Sequence, residues 1–510
     1  MSETLPGDRI FSFPGGLKLK HHKQMACMEP VRRPPLPTRL YVPLGQHQGE
    51  SGEVIVQQGE QVLKGQALTA SGDDFIVPVH APTSGTVGAV VDHPATFPPG
   101  GTRRCLVLDT DGEDHWDNRH PLENWQESPG GDIIDHLHSH GLAGMGGAMF
   151  PTAAKLRGDW PDIHTVILNG AECEPYIACD EMLMRERSQA VVEGGLILAR
   201  AVGARRVVIA IEDRMGAVRD KLDAACRSLD ECDTVRIVQV LTLYPEGGER
   251  QLIQTLTGRE VPHDGLPQDL GVICHNVATA ASARDAVIDG RPLIERIVTV
   301  TGPGIEDPCN LLALIGTPFS HLVEAAGGYR DDVTRLVLGG PMSGTALSTD
   351  EIPVSRGSNC LLALTAKEVP PTAATLPCIN CGQCVNVCPA SLLPQMLYRH
   401  LEAEQFDRAA ELNLADCIEC GCCAQVCPSH IPLVDFFRHG RQELIRRELD
   451  ERRAALARRR FEAREARLER EKAERAARRK AREEKLKKPD KAKDEIQAAI
   501  ERARQKRRGE

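Results

Sequence analysis

Two runs of cysteine constrain this chain more than any other feature of its sequence. Cys378, Cys381, Cys384 and Cys388 are separated by two, two and three residues, and Pro389 follows the last. Cys417, Cys420, Cys423 and Cys427 repeat that spacing, and Pro428 follows in turn. Three thiolates this close wrap three corners of a cubane, and the fourth leaves on the start of a helix. A zinc ribbon instead sets two Cys-x2-Cys pairs apart and closes one four-ligand site. Two complete runs ending in Cys-Pro do not fit a ribbon, so the spacing predicts two [4Fe–4S] clusters. Cys422 lies off the pattern and is not read as a ligand. Gly382 and Gly421 are placed to let backbone N–H groups approach the cluster sulfurs.

The other cysteines fit a reducing compartment. The chain has 18 in all, and its first residues, Met1 to Ile10, contain no apolar signal core. No apolar run approaches the ~18 residues that span a bilayer. The reading is cytoplasmic, with metal-bound rather than disulfide-bonded cysteines. Aromatic residues make up only 4%, too few for a base-stacking platform. The net charge of −10 combines an acidic body with a basic tail after Arg441, which argues against nucleic acid as a partner. The tail alone suits either a solvated mixed-charge helix or docking on an acidic partner or anionic lipid.

Residues 1–30 read as an extended arm, with His21-His22 as a surface pair rather than a metal site. Val54–Val56, Ala67-Leu68, Ile76–Val79 and Thr86–Val91 read as short strands between glycine-rich turns. With Gly59–Gly65 and Pro78–Pro82 they resemble a biotinyl/lipoyl barrel-sandwich. No lysine lies between Lys64 and Lys155, so the resemblance is to the fold and not to the carrier function. Thr165–Leu168 and Arg206–Ile211 are buried-strand candidates, and Ser188–Val202 is apolar at helical spacing. This alternation predicts a mainly parallel sheet covered by helices. Ile297–Thr301, a helix over Phe319–Ala326 and Leu336–Gly340 suggest a small β-grasp module. Pro370–Pro377 reads as a linker. Arg441–Lys488 has no Gly or Pro and reads as helix, broken by Pro489, with a last helix over Glu495–Lys506.

A glycine-rich loop, Gly141–Phe150, precedes a helix start and Lys155. Glycines admit a close phosphate, and a helix N-terminus is electropositive. The edge Asn169-Gly-Ala-Glu172-Cys-Glu174 follows a strand, where α/β sheets bind ligands. Tyr244–Glu249 and His275–Thr279 complete one candidate nucleotide site.

These segments resemble, in order, the FMN- and NADH-binding segments of the complex I flavoprotein subunit. Ala171, Met145 and Gly248 stand where that flavoprotein has aspartate, arginine and a second glutamate. With Leu256–Pro262, Thr299–Gly302, Gly339–Met342 and the cysteine runs, residues 10–440 resemble the RnfC family of the Rnf ion-translocating complex. This resemblance implies that Gly144, Gly146, Gly147 and Lys155 cradle the flavin phosphate and ribityl chain. Asn169, Asn276 and Thr279 would hydrogen-bond the flavin, Glu174 and Glu249 would lie near the nicotinamide nucleotide, and Glu172 and Gly247 would belong to the same site. No side chain is cast as a catalytic acid, base or nucleophile.

The likeness of the runs to two-cluster ferredoxins implies swapped ligands. Cys378, Cys381, Cys384 and Cys427 would hold one cluster, and Cys417, Cys420, Cys423 and Cys388 the other. The expected architecture is multidomain α/β plus β. An N-terminal arm (1–34) precedes a barrel-sandwich domain (35–125) and a Rossmann-like FMN/NADH domain (126–292). A β-grasp SLBB module (293–366), a ferredoxin-type 2×[4Fe–4S] domain (367–437) and a charged helical tail (438–510) follow. The resemblance implies a peripheral, electron-input subunit at the cytoplasmic face of the bacterial inner membrane. Its partners would be NAD(H) and the integral and ferredoxin-like subunits of the complex. The competing readings are a soluble flavin–iron–sulfur dehydrogenase or hydrogenase subunit, and a cluster-only electron-transfer adaptor.

Overall fold

The computed structural model describes residues 6–96, 100–158, 160, 162–369, 373–487 and 491–509. Pro370 to Thr372 of the expected linker, and Pro489, lie outside the described residues. One compact unit reaches to Arg438, and His439–Glu510 forms a second.

The arm runs over the first unit as irregular chain. Its Gly7 and Phe11 N–H groups donate to Leu256 O and Thr255 O, each at 2.9 Å, and a short turn of 3-10 helix covers Lys23–Met25. The barrel-sandwich that follows is an antiparallel sheet of β1 (Arg39–Pro43), β2 (Gln61–Val62), β3 (Gly85–Pro94) and β4 (Thr102–Thr110), ordered β1-β4-β3-β2. Leu40, Val42, Val62, Val87, Leu106 and Leu108 close its core. The expected strands around Val54 and Ala67 are single bridges, Val54 to Thr69 and Ala67 to His80, and Ile76–Val79 is not a strand. Gly and Pro punctuate these stretches too often for a ladder to extend. Lys64 is buried against Asp114 at 2.7 Å, which is not the free hairpin-tip lysine of a carrier.

The third layer system is the α/β lobe. Helices α1 (Gly130–Ser139) and α2 (Thr152–Leu156) precede β5 (Thr165–Gly170), and α3 (Cys179–Glu186) and α4 (Ser188–Val202) follow it. Next come β6 (Arg206–Glu212), α5 (Gly216–Ser228), β7 (Val235–Val240), α6 (Glu249–Thr257), β8 (Val272–Asn276) and α7 (Val277–Asp289). The sheet is wholly parallel in the order β7-β6-β5-β8. Its central strands are near-continuous apolar runs because helices cover both faces; Val166, Ile167, Leu168, Val207, Val208 and Ile209 are fully buried. Helix α4 comes so close to α7 that a Cβ on Gly194 would overlap the Ala280 carbonyl.

A mixed sheet ordered β10-β9-β13-β11-β12 follows, from β9 (Glu295–Thr301), β10 (Cys309–Leu314), β11 (Val333–Leu338), β12 (Thr345–Leu347) and β13 (Cys360–Thr365). Helix α8 (Phe319–Ala325) packs Phe319 and Leu322 into its core. Each cysteine run then makes the same turn and short helix: α9 (Gln383–Asn386) in the first and α12 (Cys422–Gln425) in the second, with α10 (Pro394–Glu402) and α11 (Phe406–Glu411) between. The tail comprises α13 (Leu433–Lys487), which begins eight residues before the expected Arg441, and α14 (Lys491–Lys506). From Glu448 to Leu486 every side chain is exposed, so propensity and i,i+4 pairs such as Arg446–Asp450 support this helix rather than a core. No helix among the described residues is long and apolar enough to cross a membrane.

Gly194→Ala tests the α4–α7 approach. Helix propensity alone favours alanine by about 1 kcal/mol, but overpacking against backbone costs about 1–3 kcal/mol. A lower melting temperature by circular dichroism is expected; a higher one contradicts the contact.

Candidate functional site

The two cysteine runs fold into one repeated backbone shape. Asn380 and Gly382 in the first run, and Glu419 and Gly421 in the second, take positive φ, which curls each loop around its cysteines. Cys378, Cys381, Cys384 and Cys427 line one cavity, walled by Ile379, Tyr398 and Ile431. Cys388, Cys417, Cys420 and Cys423 line the other, walled by Leu392, Val434 and Phe437. The fourth cysteine of each cavity therefore comes from the opposite run. Cys422, off the sequence pattern, is fully buried and also lines the second cavity. Burial pushes the Cys417 thiol up to about 11, so binding a core there must displace protons.

The second feature is the carboxyl edge of the parallel sheet at its switch point, called the crevice below. From β5 the chain steps through β6 to β7 on one side and returns to β8 on the other. In such sheets, ligands bind at the strand carboxyl ends where the order reverses. Asn169 and Asn276 stand there as register partners. The glycine loop folds over them. Gly144 N–H donates to Phe150 O at 2.8 Å, and Met145 N–H donates to Thr279 Oγ1 at 3.0 Å. A Cβ on Gly146 would lie 3.1 Å from Asn276 Cβ, whereas Gly147, at φ +101°, has open space where a side chain would be. Asn276 accepts from Ala278 N–H at 2.8 Å, capping α7, and donates to Asp180 Oδ2 at 2.6 Å. Asn169 donates to Gly247 O at 2.8 Å, and a Cβ on Gly247 would overlap the Ala171 carbonyl. Lys155 bridges Glu249 Oε1 and Cys274 O, both at 2.6 Å.

Two acidic residues lie apart from this ring. Glu174 accepts from Ser343 N–H at 2.7 Å and from the Ser343 hydroxyl, which ties it to the β11–β12 turn. Glu172 accepts from Asp180 N–H at 3.0 Å and Glu181 N–H at 3.4 Å, at the start of α3. It faces Lys23 of the arm at 3.5 Å. Burial, and then the Glu172 charge, push the Asp180 carboxyl well above the usual carboxylate range. Sequence reasoning missed Lys23 and Asp180. No motif marks the lysine beside the His21-His22 pair; His22 itself is exposed and stacks on Tyr176 at 4.7 Å.

The α/β lobe and the arm are joined to one of the two cysteine cavities. The Tyr244 hydroxyl donates to Cys420 O at 2.7 Å, His263 Nδ1 meets Asp416 Oδ2 at 2.6 Å, and Gly16 N–H donates to Val387 O at 3.1 Å. Cys420 lines the cavity of Cys388, Cys417 and Cys423, and Val387 and Asp416 directly precede two of those cysteines in the chain. The cavity of Cys378, Cys381, Cys384 and Cys427 is lined only by residues 378–433, and Cys381 is exposed.

The sequence compares with known proteins along almost its whole length. Residues 11–113 match the family model described as RnfC barrel sandwich hybrid domain, 137–285 the Nuo51 FMN-binding domain, 297–346 the SLBB domain and 377–431 the 4Fe-4S dicluster domain. The C subunit of the ion-translocating oxidoreductase complex of Serratia proteamaculans (strain 568) is 43% identical over 499 residues, 98% of this chain and 70% of that protein. The chain belongs to the RnfC family of ion-translocating oxidoreductase complex subunits. The relative of the same name from Erwinia tasmaniensis is 44% identical over 89% of this chain and 56% of its own length, so the chain spans little more than half of that relative. A chain titled "Crystal structure of NAD+-reducing [NiFe]-hydrogenase in the H2-reduced state" overlaps at TM-score 0.42 and 18% identity, over 60% of this chain and 62% of that one. As an RnfC family member, the protein carries an FMN-binding domain and a 4Fe–4S dicluster domain. The donor sets fit both groups: each cavity has the four thiols of the repeated pattern, and for a phosphate-bearing flavin the glycine loop brings Gly146 against Asn276 at the start of α7 and leaves open space at Gly147.

Cys388→Ala is expected to remove roughly half of about eight irons per chain, and Cys422→Ala to remove none; iron analysis of anaerobically purified protein decides. Glu246 is buried with one oxygen unpartnered, and burial pushes its carboxyl up to about 7. Unfolded, it titrates near about 4.3, so the folded state holds the extra proton between those values. Its contribution to stability is full below that window and falls as pH rises through it. Melting curves of Glu246→Gln should decline less from pH 5 to 8 than wild type; parallel decline contradicts this.

Proposed function

We propose that this chain is the electron-input subunit of a membrane-bound complex that couples electron transfer to ion translocation. Electrons pass between NADH and membrane or ferredoxin-type redox partners by way of FMN and two [4Fe–4S] clusters. The chain works peripherally at the cytoplasmic face of the bacterial inner membrane, beside the integral and ferredoxin-like subunits. The observation that carries this reading is the contact of Tyr244, in the loop before α6 at the crevice, with the backbone of Cys420. That bond joins the loop that carries Gly247 and Glu249 to the run that would hold one cluster.

Bound FMN supplies the exchange between two-electron hydride chemistry and single electrons. The chain's residues position it. Gly144, Gly146 and Gly147 bring backbone to the phosphate and ribityl chain, and Lys155 adds charge. Asn169, Asn276 and Thr279 orient the ring system. Gly247, Glu249 and Glu174 lie toward the nicotinamide nucleotide, and Glu172 holds the start of α3. Cys388, Cys417, Cys420 and Cys423 hold the cluster nearer the crevice. Cys378, Cys381, Cys384 and Cys427 would hold the outer one, open to a redox partner at Cys381. Transfer from a ferredoxin to NAD+ uses the same path in reverse.

Inverted membrane vesicles with and without this chain test the proposal. NADH-driven ion uptake should fall to background without the chain. Cys381→Ala should block uptake while NADH oxidation by ferricyanide, a flavin-level acceptor, continues. Uptake that persists without the chain contradicts the reading.

A further inference from the structure

The N-terminal arm places a cation where a surface strap has no need of one. Lys23 is 2% exposed and its Nζ donates to the backbone oxygen of Glu172. The same Nζ lies 3.5 Å from Glu172 Oε2, and the Glu172 side chain is 6% exposed. The arm is fastened on both sides of this lysine. Leu17 and Tyr244 exchange two backbone hydrogen bonds at 2.7 and 2.9 Å, and Tyr176 N–H donates to His21 O at 2.7 Å. Beyond the lysine, Asn310 donates to Ala26 O at 2.8 Å and Arg185 to Cys27 O at 2.9 Å. The lysine is therefore delivered by fixed backbone and does not wander in from solvent.

Its partner leads straight to the crevice. Glu172 collects the first N–H groups of α3 and the Cys179 thiol at 3.3 Å. Those bonds fix Asp180, Asp180 holds Asn276, and Asn276 caps α7 at the opposite wall of the crevice. Glu172, Glu174, Asp180 and Glu212 are gathered around this region, and the Lys23 charge favours the ionised form of the last three. These carboxylates repel an anionic phosphate, and Lys23 offsets them together with Arg296 near Asp180 and Arg214 beside Glu212. A buried carboxylate that loses its counter-charge is also strongly destabilised in place.

We propose that Lys23 is a positioning residue of the flavin site: by neutralising Glu172 it holds the start of α3, and with it Asp180 and Asn276, in the flavin-binding arrangement. This rests on the flavin reading given above and adds the arm to that site as a working wall. Lys18 and Lys20, on the same arm, are more open to solvent and have no such role.

The test uses the full chain, purified anaerobically with its clusters, in wild-type, Lys23→Met, Lys23→Arg, Lys20→Met and Lys23→Met/Glu172→Gln forms. FMN affinity is measured by flavin fluorescence quenching, the flavin midpoint potential by spectroelectrochemistry, and folding by iron per chain. Lys23→Met should weaken FMN binding by about tenfold or more, the loss of a coupled pair, and move the potential to more negative values, with wild-type iron. Lys23→Arg should restore part of both, and Lys20→Met should match wild type. Removing the partner charge as well should recover affinity over Lys23→Met alone, the non-additivity expected of such a pair. A wild type that binds FMN and a Lys23→Met that binds it equally, at the same potential, overturns this proposal alone. Failure of the double variant to recover affinity also overturns it. A wild type that takes no FMN overturns the flavin reading as well.

Discussion

Each cysteine cavity closes only when a residue from the other run crosses to it. Cys427 completes the ring begun at Cys378, and Cys388 completes the ring begun at Cys417. Neither half can form its site alone, so the two loops, their short helices and α10 and α11 between them must fold as one body. That body is then pinned to the α/β lobe through Tyr244, His263 and the arm at Gly16. The pins all meet the same half of the pseudo-symmetric pair. A sequence repeat that is nearly even thus becomes an uneven structure, with one cavity turned inward and the other left open at Cys381. For a conductor of electrons that unevenness gives the path two distinct ends.

The second organising constraint is electrostatic. The crevice lies at the carboxyl ends of a parallel sheet, where loops rather than ladders satisfy the backbone. Here the loops do so with buried carboxylates: Glu172 serves the start of α3, and Glu174 serves Ser343 in the β11–β12 turn. Such groups are held by N–H donors and compensated by Lys23 and, further off, Arg214, which pairs with Glu212 and Glu181. The same network links the arm, the α/β lobe and the β-grasp sheet, so the site's geometry depends on all three.

Much of this is legible in the residues. The cysteine spacing announces the two cavities because cluster ligation demands a fixed local pattern. The parallel sheet is visible at Thr165–Leu168 and Arg206–Ile211, since strands covered on both faces must be apolar throughout. Helix α4 follows from its period, and the β-grasp helix at Phe319 from its place between two strands. The barrel-sandwich is harder to read: β1 and β4 carry no clear mark, and Val54 and Ala67 look like strands where only bridges form. Its strands are short and interrupted, and pairing across distant segments leaves no local period. Lys23 is invisible for a related reason. Nothing in the sequence beside it signals that an arm will carry it to Glu172, 149 positions away. Glu174 reads toward the nucleotide, yet its carboxylate is held by a turn from another module, a contact that no spacing encodes.

The claim on which the account turns is that the crevice and the two cavities form one electron path. Anaerobic addition of NADH to the purified, cluster-loaded chain, followed by electron paramagnetic resonance with flavin absorbance recorded in parallel, tests it most directly. The account predicts that the flavin bleaches and that signals of two magnetically interacting reduced [4Fe–4S] clusters appear. Clusters that dithionite reduces but NADH leaves oxidised, while the flavin is fully reduced, would contradict it.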